Sequence, residues 1–172
     1  MRGLVATFLA LVPALIPAVG RAEPSPSSFP EGESRPVLGI VIGAPTGLSL
    51  GWALSTRFLV QLHGGVTAGD LSPVAILDVC YRLPEVLGGE AVPFVVYTGL
   101  GLQANGKPLG PGPSRPYDPI AVRVPFGLEV LGSSLPLLGQ SGRTRLFAEV
   151  APGIGLVEEH RAVLSAAIGL RL

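Results

Sequence analysis

Charge is scarce in this sequence. Only 14% of its 172 residues are charged, with 12 basic against 12 acidic, so the chain is neutral at pH 7. That excludes a nucleic-acid binder, which needs a basic face, and a disordered acidic tail. There is one cysteine, Cys80, and hence no intramolecular disulfide. It lies inside an apolar alternating stretch and reads as a small buried filler rather than a reactive thiol. Histidine is nearly missing: His63 and His160 stand far apart, and the acidic neighbours of His160, Glu158 and Glu159, belong to a solvated turn. No metal site and no cofactor are expected on that ground. Fragments such as Gly99-Leu100-Gly101 and Gly153-Ile154-Gly155 follow a strand period and open no helix, which excludes a phosphate loop.

What the chain has in quantity is glycine (24), proline (18) and hydrophobic residues (48%). So much glycine and proline is incompatible with a helical bundle and normal for many short strands joined by turns. Residues 1–22 read as a secretory signal peptide. Arg2 supplies the positive start, Leu4 to Val19 the apolar stretch, and Gly20-Arg21-Ala22 a small-residue cleavage site. The stretch is short for a transmembrane helix and is broken by Pro13 and Pro17. Residues 23–36, rich in Pro, Ser, Glu and Gly, form a flexible lead-in, and residues 37–172 form one domain.

Within that domain apolar and small or polar residues alternate with period 2. Eight segments result: Leu38–Ala44, Leu48–Ser55, Arg57–Val66, Pro73–Leu83, Phe94–Gln103, Ile120–Leu131, Arg145–Leu156 and Ala162–Leu172. Turn chemistry separates them at Ala44-Pro45-Thr46-Gly47, Ala68-Gly69-Asp70 and Gly88-Gly89. One face of each segment is bulky and aliphatic, as in Leu48, Leu50, Trp52 and Leu54, or Ile120, Val122, Val124, Phe126, Leu128 and Val130. The other face is small, glycine-rich and holds nearly every charge within a strand: Asp78, Arg82, Arg123, Glu129, Glu149 and Arg171, together with His63. A water-soluble barrel would turn its aliphatic bulk inward. The inverse pattern predicts an all-β, closed, antiparallel, eight-stranded up-and-down transmembrane barrel, whose outer face meets outer-membrane lipid. Trp52, Phe58, Tyr81 and Phe94 fall on that outer face near one rim, as half of an interfacial aromatic girdle.

Several segments carry a more specific pattern. These are Pro45-Thr46-Gly47-Leu48-Ser49-Leu50, Val122-Arg123-Val124-Pro125-Phe126-Gly127-Leu128-Glu129, Phe147-Ala148-Glu149-Val150-Ala151-Pro152 and the closing Ala167-Ile168-Gly169-Leu170-Arg171-Leu172. Over residues 38–172 the chain resembles the small eight-stranded, OmpA-like outer-membrane barrels of Gram-negative bacteria, which often carry an acidic residue where Asp78 stands. The resemblance implies insertion by the barrel-assembly machinery and residence in the cell outer membrane. The subgroup with these segments has no established activity. Such chains usually finish on an aromatic residue, whereas this one finishes on Leu172.

An eight-stranded barrel is only wide enough to be filled by side chains, so no open pore is expected. Three arginines facing three carboxylates read as a structural ion-pair network, with Arg123 and Glu149 meeting on neighbouring strands. A gated ion path is the rival for the same residues. A nucleophilic group of His63, Ser165 and Glu149 has no motif spacing behind it, and no enzyme is expected. The loop from Asn105 to Pro119 carries Lys107 and Arg115 and is the candidate contact with lipopolysaccharide or a surface partner. Glu158-Glu159-His160-Arg161 reads as a solvated outer turn, while Leu83–Pro93 and Gly132–Thr144 are long inner connections. The chain is expected to be monomeric. The competing readings are a secreted or periplasmic soluble barrel that binds a small apolar ligand and a lipid-modifying enzyme.

Overall fold

A computed structural model describes residues 36–67, 71–87, 94–109, 118–131, 144–157 and 160–172 of the chain. The signal and lead-in at 1–35, the turns at 68–70 and 88–93, loop residues 110–117, the connection 132–143 and Glu158-Glu159 lie outside the described residues. Nine strands are present: β1 (Pro36–Gly43), β2 (Thr46–Ala53), β3 (Phe58–Val66), β4 (Pro73–Leu87), β5 (Phe94–Asn105), β6 (Ile120–Arg123), β7 (Phe126–Leu131), β8 (Arg145–Gly155) and β9 (Ala162–Arg171). Strands β6 and β7 form one stave, since both lie between β5 and β8. The sheet closes where β1 pairs antiparallel with β9, from Gly39↔Arg171 to Gly43↔Ala167. The fold is therefore an all-β, closed, antiparallel eight-stranded barrel, in which every described strand pairs on both sides.

Many strand boundaries shift by one or two residues from the periodicity reading, and the larger differences have local reasons. Pro36, assigned to the lead-in, is the first residue of β1 and pairs with Trp52. Strand β4 continues past Leu83 to Leu87. Pro84, which lacks an N–H and reads as a strand end, is absorbed by a register shift between Arg82 and Val86. The sixth segment is interrupted at Val124-Pro125, again because proline cannot donate to the ladder. Continuity survives there because Val124 N–H donates to Pro152 O at 2.8 Å and Gly99 N–H to Pro125 O at 3.1 Å. The first turn is also tighter than expected, since Thr46 and Gly47 belong to β2. Thr46 Oγ1 accepts from Gly43 N–H at 3.1 Å and donates to Gly43 O at 3.0 Å. Gly43 there has φ 137°, where a side chain would be strained.

The alternation sorts as the pattern predicts. An outward aliphatic row, Leu38↔Leu50↔Leu62↔Leu77↔Leu102↔Val122↔Ile154, runs in register across seven staves. Leu100, Leu164 and Ile168 extend this exposed belt, at 62%, 72% and 60% accessibility. The inside holds few aliphatics, chiefly Val41, Leu59 and Ile76, among many buried polar groups.

Candidate functional site

The interior side chains reach one another across glycines. Asp78, Gly101 and Arg123 are register neighbours on β4, β5 and β6. A Cβ on Gly101 would run into Asp78 Oδ1. Because the middle residue has no side chain, Arg123 Nε comes within 3.3 Å of Asp78 Oδ1. The device recurs with Tyr97, Gly127 and Glu149 on β5, β7 and β8: Tyr97 Oη donates to Glu149 Oε2 at 2.9 Å. It recurs again with Ser49, Gly39 and Arg171 on β2, β1 and β9, where Arg171 Nε donates to Ser49 Oγ at 2.9 Å. Inward glycines thus decide which charged groups meet.

Two clusters fill the axis. The first lies toward the end where β1 begins and β9 finishes. Glu129 Oε2 accepts from Arg82 Nη2 at 3.0 Å, while its Oε1 lies 3.6 Å from Arg145 Nη1 and 3.9 Å from Arg171 Nη1. Arg171 is fully buried: it also donates to Gln61 Oε1, and its guanidinium stacks 4.0 Å from the centroid of the Phe147 ring. Gln61 Nε2 in turn donates to Cys80 Sγ at 3.2 Å, which makes that cysteine a buried packing group.

The second cluster centres on Arg123. It donates to Glu149 Oε1 and, at 3.2 Å, to Ser165 Oγ, besides its ion pair with Asp78. His63 stands beside these carboxylates, with its ring 5.9 Å from that of Phe147. Neither of its ring nitrogens has a hydrogen-bond partner. Ser165 Oγ is engaged by Arg123 and donates to Ala151 O at 3.3 Å. The Ser165, His63 and Glu149 combination is therefore not wired as a nucleophile and base.

At the far mouth Asp118 ties the strand ends together, accepting from Val157 N–H at 3.1 Å and Arg161 N–H at 3.4 Å. No family model, curated protein or solved structure matches this chain. What the lumen can do must be read from its own chemistry. The arginines and carboxylates are arranged to neutralise one another, and such groups, once desolvated, cost several kcal/mol each if left alone.

Asp78, Arg82, Arg123, Glu129, Glu149, Arg171 and His63 are all buried in the lumen. A fourth inward arginine, Arg145, joins them, and Tyr97, Gln61, Ser49 and Ser165 complete the polar filling. Arg145 was legible from its parity with Phe147 and Glu149. Trp52 and Phe58 are exposed, and Tyr81 and Phe94 half-buried, on outward positions at the same end as the Glu129 cluster; Phe58 and Tyr81 pack edge to face at 5.5 Å.

The Arg123–Glu149 pair is expected to be energetically coupled. Heat-induced unfolding of Arg123→Ala, Glu149→Ala and the double variant should give losses that fall short of adding by about 0.5–3 kcal/mol. Strict additivity would show that Asp78, Ser165 and Tyr97 hold each partner independently.

Proposed function

We propose that the chain is an integral outer-membrane barrel of the OmpA-like kind, with a side-chain-plugged lumen and a structural or surface-interaction role rather than a conducting or catalytic one. The carrying observation is the inversion of its two faces. Arg82, Arg123, Glu129 and Arg171 are at most 3% accessible, whereas Leu48, Leu100, Leu164 and Ile168 are at least 60% accessible. A wall of leucine, isoleucine and valine on every stave is costly in water and favourable against hydrocarbon. Apart from the longer β4, and counting β6 with β7, the staves run from 8 to 12 residues, close to the 9–11 that a tilted strand needs to cross a bilayer.

The interior argues against a soluble carrier of apolar ligands, because Arg171, Tyr97, Phe147, Gln61 and Glu129 occupy the axis where such a ligand would sit. On the outer wall a shallow groove of about 640 Å³ runs over Ala148 and Ala166, between Phe126 and Leu128 on one side and Ile42 and Ile168 on the other. In the membrane reading an acyl chain lies in it. The loop around Lys107 is the candidate contact with lipopolysaccharide.

Fractionation tests the assignment. The processed protein should remain in the membrane pellet after a carbonate wash, require detergent for extraction and migrate differently on gels when boiled and unboiled. A protein that stays soluble at high concentration without detergent refutes the membrane reading.

A further inference from the structure

Three lumen side chains converge beside Arg123: His63 from β3, Asp78 from β4 and Glu149 from β8. One donor atom of each lies within 4.8 Å of the other two. His63 is 2% accessible and Asp78 0%, yet neither ring nitrogen of His63 and neither carboxylate oxygen of Asp78 has a hydrogen-bond partner. A buried imidazole aimed at two carboxylates with both nitrogens unpaired is costly unless something binds there, since orphaned buried polar atoms lose water without replacement. The nearest cation, Arg123, compensates in part: it pairs with Asp78 at 3.3 Å and with Glu149. Arg171, the next guanidinium, is engaged by Gln61, Ser49 and the Phe147 ring, so the direct contacts to both carboxylates come from Arg123.

The geometry points to a binding site for one divalent transition-metal ion of the zinc type, held by His63, Asp78 and Glu149. One imidazole nitrogen and two carboxylate oxygens form a donor set that suits zinc, whereas magnesium and calcium favour six or more oxygen ligands. The carboxylates are already oriented from behind. Tyr97 Oη donates to Glu149 Oε2, and Arg123 holds Glu149 Oε1 and faces Asp78; such outer-shell contacts support ligating carboxylates in metal sites. The gap bordered by His63, Arg123, Glu149 and Ser165 is too narrow for a water molecule, but a bare ion is smaller than water. Side chains drawn together from three strands would close around it. Spacing could not show this site, because its members meet only through barrel closure.

The test is metal uptake by the full chain folded in detergent, first stripped with a chelator and then titrated with zinc or cobalt ions during refolding. One equivalent of zinc per chain is expected, in preference to magnesium, together with cobalt d–d bands that appear on titration and saturate at one equivalent. His63→Gln and Glu149→Gln should each abolish uptake, Tyr97→Phe should weaken it about 10–100-fold, and His160→Gln should leave it unchanged. Each variant must first show the boiled and unboiled migration of the folded parent. Uptake below one equivalent in the parent, or uptake unchanged in folded His63→Gln, overturns the proposal. Either result leaves the membrane assignment standing, because the site depends only on the closed barrel.

Discussion

Glu129→Ala is expected to lower the unfolding free energy by about 3–5 kcal/mol, the largest effect of any single lumen substitution. Glu129 is the one described carboxylate within 4 Å of the guanidinium groups of Arg82, Arg145 and Arg171, at 3.0, 3.6 and 3.9 Å. Truncation removes the carboxylate that the three buried guanidinium groups share, and their mutual repulsion adds to the lost attraction. Glu129→Gln keeps the shape and removes only the charge, so it should recover little. Adding Arg82→Met to Glu129→Ala removes one of the three neighbouring cations and should restore part of the loss. Trp52 is the sole tryptophan, so its fluorescence follows denaturant unfolding in micelles directly. A loss below about 1 kcal/mol, the range of exposed ion pairs, would mean that the cluster is hydrated rather than a dry plug.

The fold was legible because a strand's period is two and one face must differ from the other. The fourth segment shows this best: Ala75, Leu77, Val79 and Tyr81 alternate with Ile76, Asp78, Cys80 and Arg82, and the structure turns only the second set inward. Closure followed from the inverted faces, because a wall turned toward lipid can leave no unpaired edge. Boundaries were less legible wherever proline intervened, because Pro84 and Pro125 remove a donor without ending their staves. The missing signal was pairing across strands, which periodicity within one strand does not carry.

The site was half legible for the same reason. Parity put Asp78, Arg123 and Glu149 on one side, but not within reach of one another. Reach depends on register, and on the small residue between the partners. Gly101 lets Arg123 approach Asp78, and Gly127 lets Tyr97 approach Glu149; each glycine looked only like a small inner position until its two neighbours were known. Parity also put His63 on the inner face. It is a buried lumen ring with both nitrogens unpaired, and that lack of partners is a property of the assembled lumen that no spacing along the chain encodes.

The second large effect concerns the outer face. Leu100, near the middle of β5, is 62% accessible and pairs with Val79, itself 50% accessible. In the proposed membrane setting Leu100→Arg should destabilise the folded barrel by about 2–4 kcal/mol, the cost of an arginine near the bilayer midplane on a barrel's lipid face. In water the same exposed substitution should stay within about 0.5 kcal/mol of the parent. Leu109→Arg supplies the control, because Leu109 is 73% accessible and lies beyond the end of β5 at Asn105. Reversible unfolding from lipid vesicles should penalise the first variant and spare the second. If both are neutral, the aliphatic belt does not face hydrocarbon and the inversion of faces needs another explanation. If both are equally costly, the penalty belongs to arginine itself rather than to depth in lipid. Only the difference between the two carries the assignment, since the substituted residue is leucine in both cases and what changes is its distance from the middle of the barrel wall.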